Sequence, residues 1–501
     1  MTITSRARLV LLVVLSYVML LVPVTFNGAP FYWPDSFAYL KGGGAALNAV
    51  LGVETRYVGV TAAIPVATPD RPTKAQADIS AVAPTPSPAP DDRISKARSP
   101  YYAVFLAGSS AAFGPAAPVY LQALLLLAAM GMVLRPIFGG VRALPAALLL
   151  VALSLTSASL FTTLLLPDFL APLGLMGAAA LLAFWPRLSR GEIVFWYLVL
   201  LASILSHTTH LALALLVVPC AVVLARLIGK HRVGRPAILV LSAVVIGVLG
   251  NMAFTKAVER SFGYTPQSFP MLAASIFTDG TGRAYLEATC PENGYIYCDY
   301  LDNQATEVDQ FLWSTDPALG VYARVTPDIR MQMSDQQWSF LIDTVRFDFW
   351  GQVWASGKRM WRQLCNNSLG QLGYVAQASN LAQLVPDPDL SGIQDSAVMR
   401  GAVNFQTLGY VLQSVGWAAA LGLVWIMARA PNPALRGHTP LVARKTLVLF
   451  TAVVLIGIVI NAGLTGAASQ PQGRYGARVF LLLPVLLALW GAWVQAQKPA
   501  D

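Results

Sequence analysis

The chain has 501 residues, 56% of them hydrophobic and only 12% charged. That balance excludes a soluble globular protein, in which about 25% of residues carry charge, and indicates a polytopic membrane protein. The net charge of +9 would invite nucleic acid in a soluble chain, but here the excess lies between hydrophobic spans, where topology accounts for it.

Apolar runs long enough for a hydrocarbon core of roughly 30 Å fall at 8–26, 117–135, 144–162, 168–186, 193–207, 208–227, 236–255, 405–428, 446–466 and 478–496. They predict an all-α polytopic membrane protein with about ten transmembrane helices. The first run has the basic start of a signal peptide but lacks a convincing small-x-small cleavage site after Phe26, so it is read as an uncleaved span. Three parts are expected. Residues 1–255 form an N-terminal module of about seven spans, 256–404 a domain inserted between spans 7 and 8, and 405–501 a C-terminal module of about three spans.

Orientation follows from the short connections, because cytoplasmic loops retain Lys and Arg. Arg6 and Arg8 precede the first run. Arg135 and Arg142, then Arg187 and Arg190, then Arg226, Lys230, Arg232 and Arg235, and finally Arg429, Arg436, Arg444 and Lys445 fill every second connection. Both termini are therefore expected in the cytoplasm, with the long loops 27–116 and 256–404 outside. The preference for Arg over Lys and the many alanines suit a GC-rich bacterial genome, so the expected location is the inner membrane with both long loops periplasmic.

Within the first long loop, residues 64–92 include the run Ala-Pro-Thr-Pro-Ser-Pro-Ala-Pro, which cannot bury enough apolar surface to fold and is expected to be disordered. On either side lie aromatic segments short of charge, Phe31 to Leu40 and Arg98 to Leu106, of the kind that lie in a membrane interface. In the second long loop, Cys290 and Cys298 enclose Pro-Glu-Asn-Gly-Tyr-Ile-Tyr and are expected to close a local disulfide in an oxidising compartment. Trp338, Phe340, Phe347, Trp350, Trp354 and Trp361, mixed with Arg346, Lys358, Arg359 and Arg362, read as a membrane-surface helix.

Candidate chemistry gathers at the outer ends of the spans. Asp168, in Leu-Pro-Asp-Phe, is an ionisable residue among apolar neighbours, a position that is expensive without a function; the same pattern also suits a proline-led helix start with a dipole-favouring carboxylate. Asp35 likewise follows a proline and also reads as an ordinary cap. His207 and His210 share a helix face if that segment is helical; they suit a metal, for which a pair without a third ligand is a weak signal, a phosphate, or equally a role as hydrogen-bonded structural groups. Arg474 and Arg478, beside Tyr475, run against the positive-inside tendency, so they suit either a bound anion or lipid phosphate.

Two outer carboxylates, an outer His pair and outer arginines together suit chemistry on a lipid phosphate, with a carboxylate as general base and cations stabilising the departing phosphate. No nucleotide-binding fingerprint is present. The aromatic loop with Asp35, the Arg-Ser-Pro-Tyr-Tyr segment from Arg98 through Tyr101, the Leu-Pro-Asp-Phe segment and the Arg-Tyr at Arg474 resemble the GT-C superfamily of integral membrane glycosyltransferases. The resemblance implies a polyprenyl-phosphate-linked sugar donor, Asp35 as catalytic base, and Asp168 as a second carboxylate for positioning or for a divalent metal, which the sequence leaves open as a cofactor. It departs from the superfamily in having Asp35 followed by Ser36 where a paired acid is usual, and in the long domain lying between spans. With it, Arg98, Tyr101, His207, His210, Arg474 and Tyr475 become candidates for binding substrate phosphate, and the acceptor is expected to be an envelope glycan, lipid or protein. Two other readings stay open: a transporter or flippase of a lipid-linked glycan, and a non-catalytic envelope assembly protein.

Overall fold

The computed structural model describes residues 3–55, 94–96, 98–229, 233–373, 393, 395–430 and 442–497. The Pro- and Ala-rich stretch 64–92 lies outside them. The architecture is all-helical, that of a polytopic membrane protein. Eight helices among the described residues are long and apolar enough to cross a membrane: Ala7–Asn27, Ala117–Phe138, Pro167–Arg187, Thr208–Leu227, Gly234–Phe262, Phe405–Arg429, Arg444–Ala467 and Gly473–Gln495. The two remaining predicted runs form shorter helices. The 144–162 run breaks into Ala143–Ser154 and Ala158–Thr163, where the Thr156 hydroxyl folds back onto the Leu153 carbonyl. The other, Arg190–Ser206, stops where His207 adopts an extended backbone and caps the next helix.

The Pro167–Arg187 helix lies at the centre of the bundle and is buried almost throughout. Lipid offers no hydrophobic drive for helices to associate, so close approach through small residues must hold such a bundle together. Gly457 meets Leu175 and Gly174 meets Ser203 with no room for a Cβ between them. The Pro34–Leu51 and Pro100–Phe113 helices pack side by side by the same device, since a Cβ on Gly43 would overlap the Ala103 carbonyl.

Residues 271–340 build a second hydrophobic cluster around Phe277, Tyr297, Phe311 and Phe340. Cys290 and Cys298 are disulfide-bonded there, as their spacing predicts. For so short a loop the crosslink is worth about 2–3 kcal/mol of chain entropy. A Cys290→Ser variant is expected to expose this cluster to limited proteolysis at lower urea than wild type; an unchanged digestion profile would contradict that role.

The predicted membrane-surface helix is two helices, Pro327–Phe347 and Phe349–Cys365, joined at Asp348, whose carboxylate accepts the Gly351 amide and caps the second. Trp338, Phe347, Trp350 and Trp354 are exposed, as an interfacial face requires, and Trp361 is exposed at the rim of a cavity. Phe340 departs from that reading: it is fully buried and stacks on Tyr297 at 4.8 Å. Two residues along an α-helix is a turn of about 200°, so Phe340 faces away from Trp338 and into the cluster.

This region is fastened to the bundle. Arg359, 7% exposed, bridges Asp279 at 3.3 Å and donates to the carbonyls of Ser275 and Ser469. Ser275 in turn donates to the Ala467 carbonyl, and a Cβ on Gly466 would strike the Arg359 carbonyl.

Candidate functional site

The site begins with one local pattern used twice. Proline suits the first helical position because it has no amide hydrogen to satisfy and its φ is already helical. An aspartate in the first turn then sits where the helix dipole favours negative charge. Pro34-Asp35 opens the Pro34–Leu51 helix and Pro167-Asp168 opens the central one. The two starts are stitched together. Phe31 and Leu164 form a parallel bridge, with the Phe31 amide donating to the Thr163 carbonyl at 3.0 Å and the Leu165 amide to the Phe31 carbonyl at 2.9 Å. The buried Ser36 hydroxyl accepts the Trp33 amide and donates to the Leu165 carbonyl at 2.8 Å.

Each carboxylate meets arginine. Arg98 donates to Asp35 Oδ1 from Nη2 at 2.8 Å and from Nε at 3.2 Å, and the Asp35 side chain stays 40% exposed. Burial pushes the Asp35 carboxyl up, but the Arg98 guanidinium beside it, helped by Arg474, holds it below the usual carboxylate range. Asp168 is 4% exposed and takes Arg478 Nη1 at 3.0 Å and Arg474 Nη1 at 3.8 Å. Arg478, wholly buried, also donates to Asn461 Oδ1 at 3.0 Å. Arg474 lies over the Trp33 ring, 4.6 Å from its centroid. Three guanidinium groups thus face two carboxylates.

The short Gly473–Phe480 helix that carries both arginines is pressed against residues 366–368. A Cβ on Gly473 would overlap Ser368, and one on Gly476 would overlap Asn366 and Asn367. The glycines of Gln-Gly-Arg-Tyr-Gly-Ala-Arg are therefore what let the arginines approach.

The histidines lie beside this group. His207 Nδ1 accepts the Thr209 amide at 3.2 Å as a helix cap. His210 Nδ1 lies 3.0 Å from the Ser203 carbonyl, which can only accept, so that nitrogen carries the proton. His210 Nε2, Arg474 Nε and Arg478 Nε are buried with no hydrogen-bond partner among the described residues. Buried polar groups are nearly always satisfied, so the cluster keeps hydrogen-bonding capacity for something other than protein.

Of the sequence candidates, Asp35, Arg98, Asp168, His207, His210, Arg474 and Tyr475 come together at one end of the bundle. Tyr101 does not join them: its hydroxyl donates to the Gly250 carbonyl at 2.9 Å. Its neighbour Tyr102 points inward instead, donating to Gln122 and lying edge-on to Tyr39. Among the described residues no three His, Cys, Asp or Glu side chains gather as metal ligands. Both carboxylates are taken by guanidinium groups, an arrangement suited to an anion rather than to a cation.

Three contributors escaped sequence reasoning. Trp33 has no signal beyond its aromatic neighbours. Asn461 had one, as an amide inside an apolar span. Asp309 accepts from Gln470 Nε2 at 3.2 Å and from Gln472 Nε2 at 3.0 Å, tying the 256–404 region to the segment that leads into Arg474. Burial raises the Asp309 carboxyl from 3.8 to about 6, against the pull of those amide donors. The folded state therefore holds this proton more tightly than the unfolded chain, and the stability it contributes, full below about pH 4, is lost as pH rises through about 6. An Asp309→Asn variant is expected to match wild type near pH 4 and to exceed it at pH 7.5 by on the order of 1–2 kcal/mol, allowing for partial exposure. Equal thermal melts of the two proteins at pH 7.5 would contradict it.

Compared with known protein families, with curated proteins and with solved structures, the chain matches none.

Proposed function

We propose that the chain is a membrane glycosyltransferase of the inverting, GT-C-like type. It moves a sugar from a polyprenyl-phosphate donor to an envelope glycan, lipid or protein on the outer face of the membrane. The observation that carries this reading is the convergence of two carboxylates and three arginines from distant segments, with Asp35 half-exposed and Asp168 sealed. In the same reading both termini are cytoplasmic, the 256–404 region is periplasmic, and the two shorter helices count with the eight long ones as part of the membrane module.

The two carboxylates then divide the work. Asp35 accepts the proton of an acceptor hydroxyl as that oxygen attacks the anomeric carbon, while the bond to the phosphate oxygen breaks and the phosphate leaves with the electron pair. Asp168 touches no reacting atom; it holds Arg474 and Arg478 in place, so that their charge need not reorganise as the phosphate departs. A donor phosphate that draws Arg98 away from Asp35 would raise the basicity of that carboxylate when the base is needed.

The test is binding of polyprenyl phosphate against neutral polyprenol to the purified chain in nanodiscs. Preference for the phosphate is expected, with a loss of roughly 10–100-fold in Arg474→Ala, the usual worth of a hydrogen bond to a charged group. Equal binding of the two lipids, or an unchanged Arg474→Ala, would contradict the reading.

A further inference from the structure

A cavity of about 790 Å³ opens between the 256–404 region and the start of the Phe405–Arg429 helix, apart from the Asp35 and Asp168 cluster. That is within the range of small-molecule sites, about 300–1,000 Å³, and far more than a single ion needs. Its character is set by the polar groups and rings that reach its space. Arg359 and Asp279 are committed to each other, Gln413 donates to the Cys365 carbonyl, and Gln470 is held on Asp309. These contacts make the floor rigid. Facing the space are Lys358, Arg362, the Glu307 carboxylate, which also accepts the Gln310 amide, the Thr306 hydroxyl, which donates to Gln310 Oε1 at 3.4 Å, and two aromatic rings, Trp361 at 64% and Tyr410 at 57% exposure.

Hydroxyl, carboxylate and guanidinium groups around a cavity with exposed aromatic platforms match the chemistry of a saccharide. Its hydroxyls need donors and acceptors together, and its C–H faces cover a ring without desolvating a charge. A lipid tail would strand the polar wall. A peptide strand would want a free sheet edge, and the described residues contain no strand. The position also fits: Gln470 and Pro471 in the cavity wall lie just before Arg474, and Ser368, also in the wall, backs Gly473.

We propose that this cavity is a saccharide-binding groove that seats the sugar chain of the acceptor. The assignment to the acceptor rests on the transferase reading, whereas the assignment to a saccharide stands on the lining alone.

The experiment uses the full chain in nanodiscs and saturation-transfer difference NMR with mannotriose, galactotriose, arabinotriose and chitotriose, beside a control peptide of alanine and serine. Trp361 and Tyr410 are exposed, so Trp361→Ala and Tyr410→Ala are expected to fold as wild type, which their melting curves check. Expected is saturation transfer to at least one trisaccharide, at least tenfold weaker binding of it in each variant, and unchanged polyprenyl-phosphate binding. In transfer assays the same variants should raise KM for the acceptor with little change in kcat. Overturning results are no transfer to any of the four trisaccharides, equal binding by both variants, or preference for the peptide. Retained trisaccharide binding together with failure to discriminate polyprenyl phosphate would sink the transferase reading and leave the groove standing; the reverse pattern would do the opposite.

Discussion

Replacing Asp35 by asparagine is expected to lower the rate of sugar transfer by about 10²–10⁴-fold, the usual worth of a general base, with little loss of folded protein. The Asp35 side chain is 40% exposed and meets a single arginine, itself 25% exposed, so the amide can replace the carboxylate without leaving a deeply buried charge unmatched. It cannot take a proton from an acceptor hydroxyl. The effect should lie in kcat, with binding of polyprenyl phosphate retained or improved once Arg98 no longer has Asp35 as a competitor. Transfer by Asp35→Asn within threefold of wild type would remove this residue from the chemistry.

Arg478→Met and Asp168→Leu should act in the opposite way, on folding before catalysis. Both partners are sealed, Arg478 wholly and Asp168 to within 4%; removing Arg478 leaves Asp168 with only the longer contact to Arg474 at 3.8 Å, and removing Asp168 leaves Arg478 buried without a counter-charge in contact. Breaking a buried pair costs about 3–5 kcal/mol, where replacing both members by apolar groups of similar volume is often neutral. In detergent each single variant is expected to melt roughly 3–5 °C below wild type. The double variant Asp168→Leu with Arg478→Met should recover most of that stability while remaining inactive if, as proposed, Arg478 helps to stabilise the departing phosphate. Additive losses in this cycle would mean that the two side chains are not coupled.

The helical layout was legible because hydropathy over a span is a sum of many residues and survives local irregularity. The irregularities themselves were not. The 144–162 run reads as one helix by composition, yet three residues, Leu155 to Ser157, suffice to interrupt it. Among the site residues, Pro34-Asp35 and Pro167-Asp168 were readable as helix starts because that pattern is local. The pairing of Asp168 with Arg478 joins residues 310 positions apart, and nothing in either segment names the other. Phe340 shows a third kind of gap: an aromatic-rich stretch predicts an interfacial helix, but only the turn per residue decides which rings face the core. The disulfide was legible for the converse reason, since both cysteines lie within one short turn of chain.

Transfer of a sugar from a lipid phosphate at the Asp35 and Asp168 cluster is the proposed activity. Mass spectrometry of envelope lipids and glycans tests it most directly, in a strain lacking the chain and complemented with wild type or with Asp35→Asn at matched membrane levels. The strain is expected to lose a mass increment of one sugar from an envelope component, which wild type but not Asp35→Asn restores. Accumulation of an intact lipid-linked glycan with no sugar missing would contradict the transferase and indicate transport; full restoration by Asp35→Asn would contradict the base.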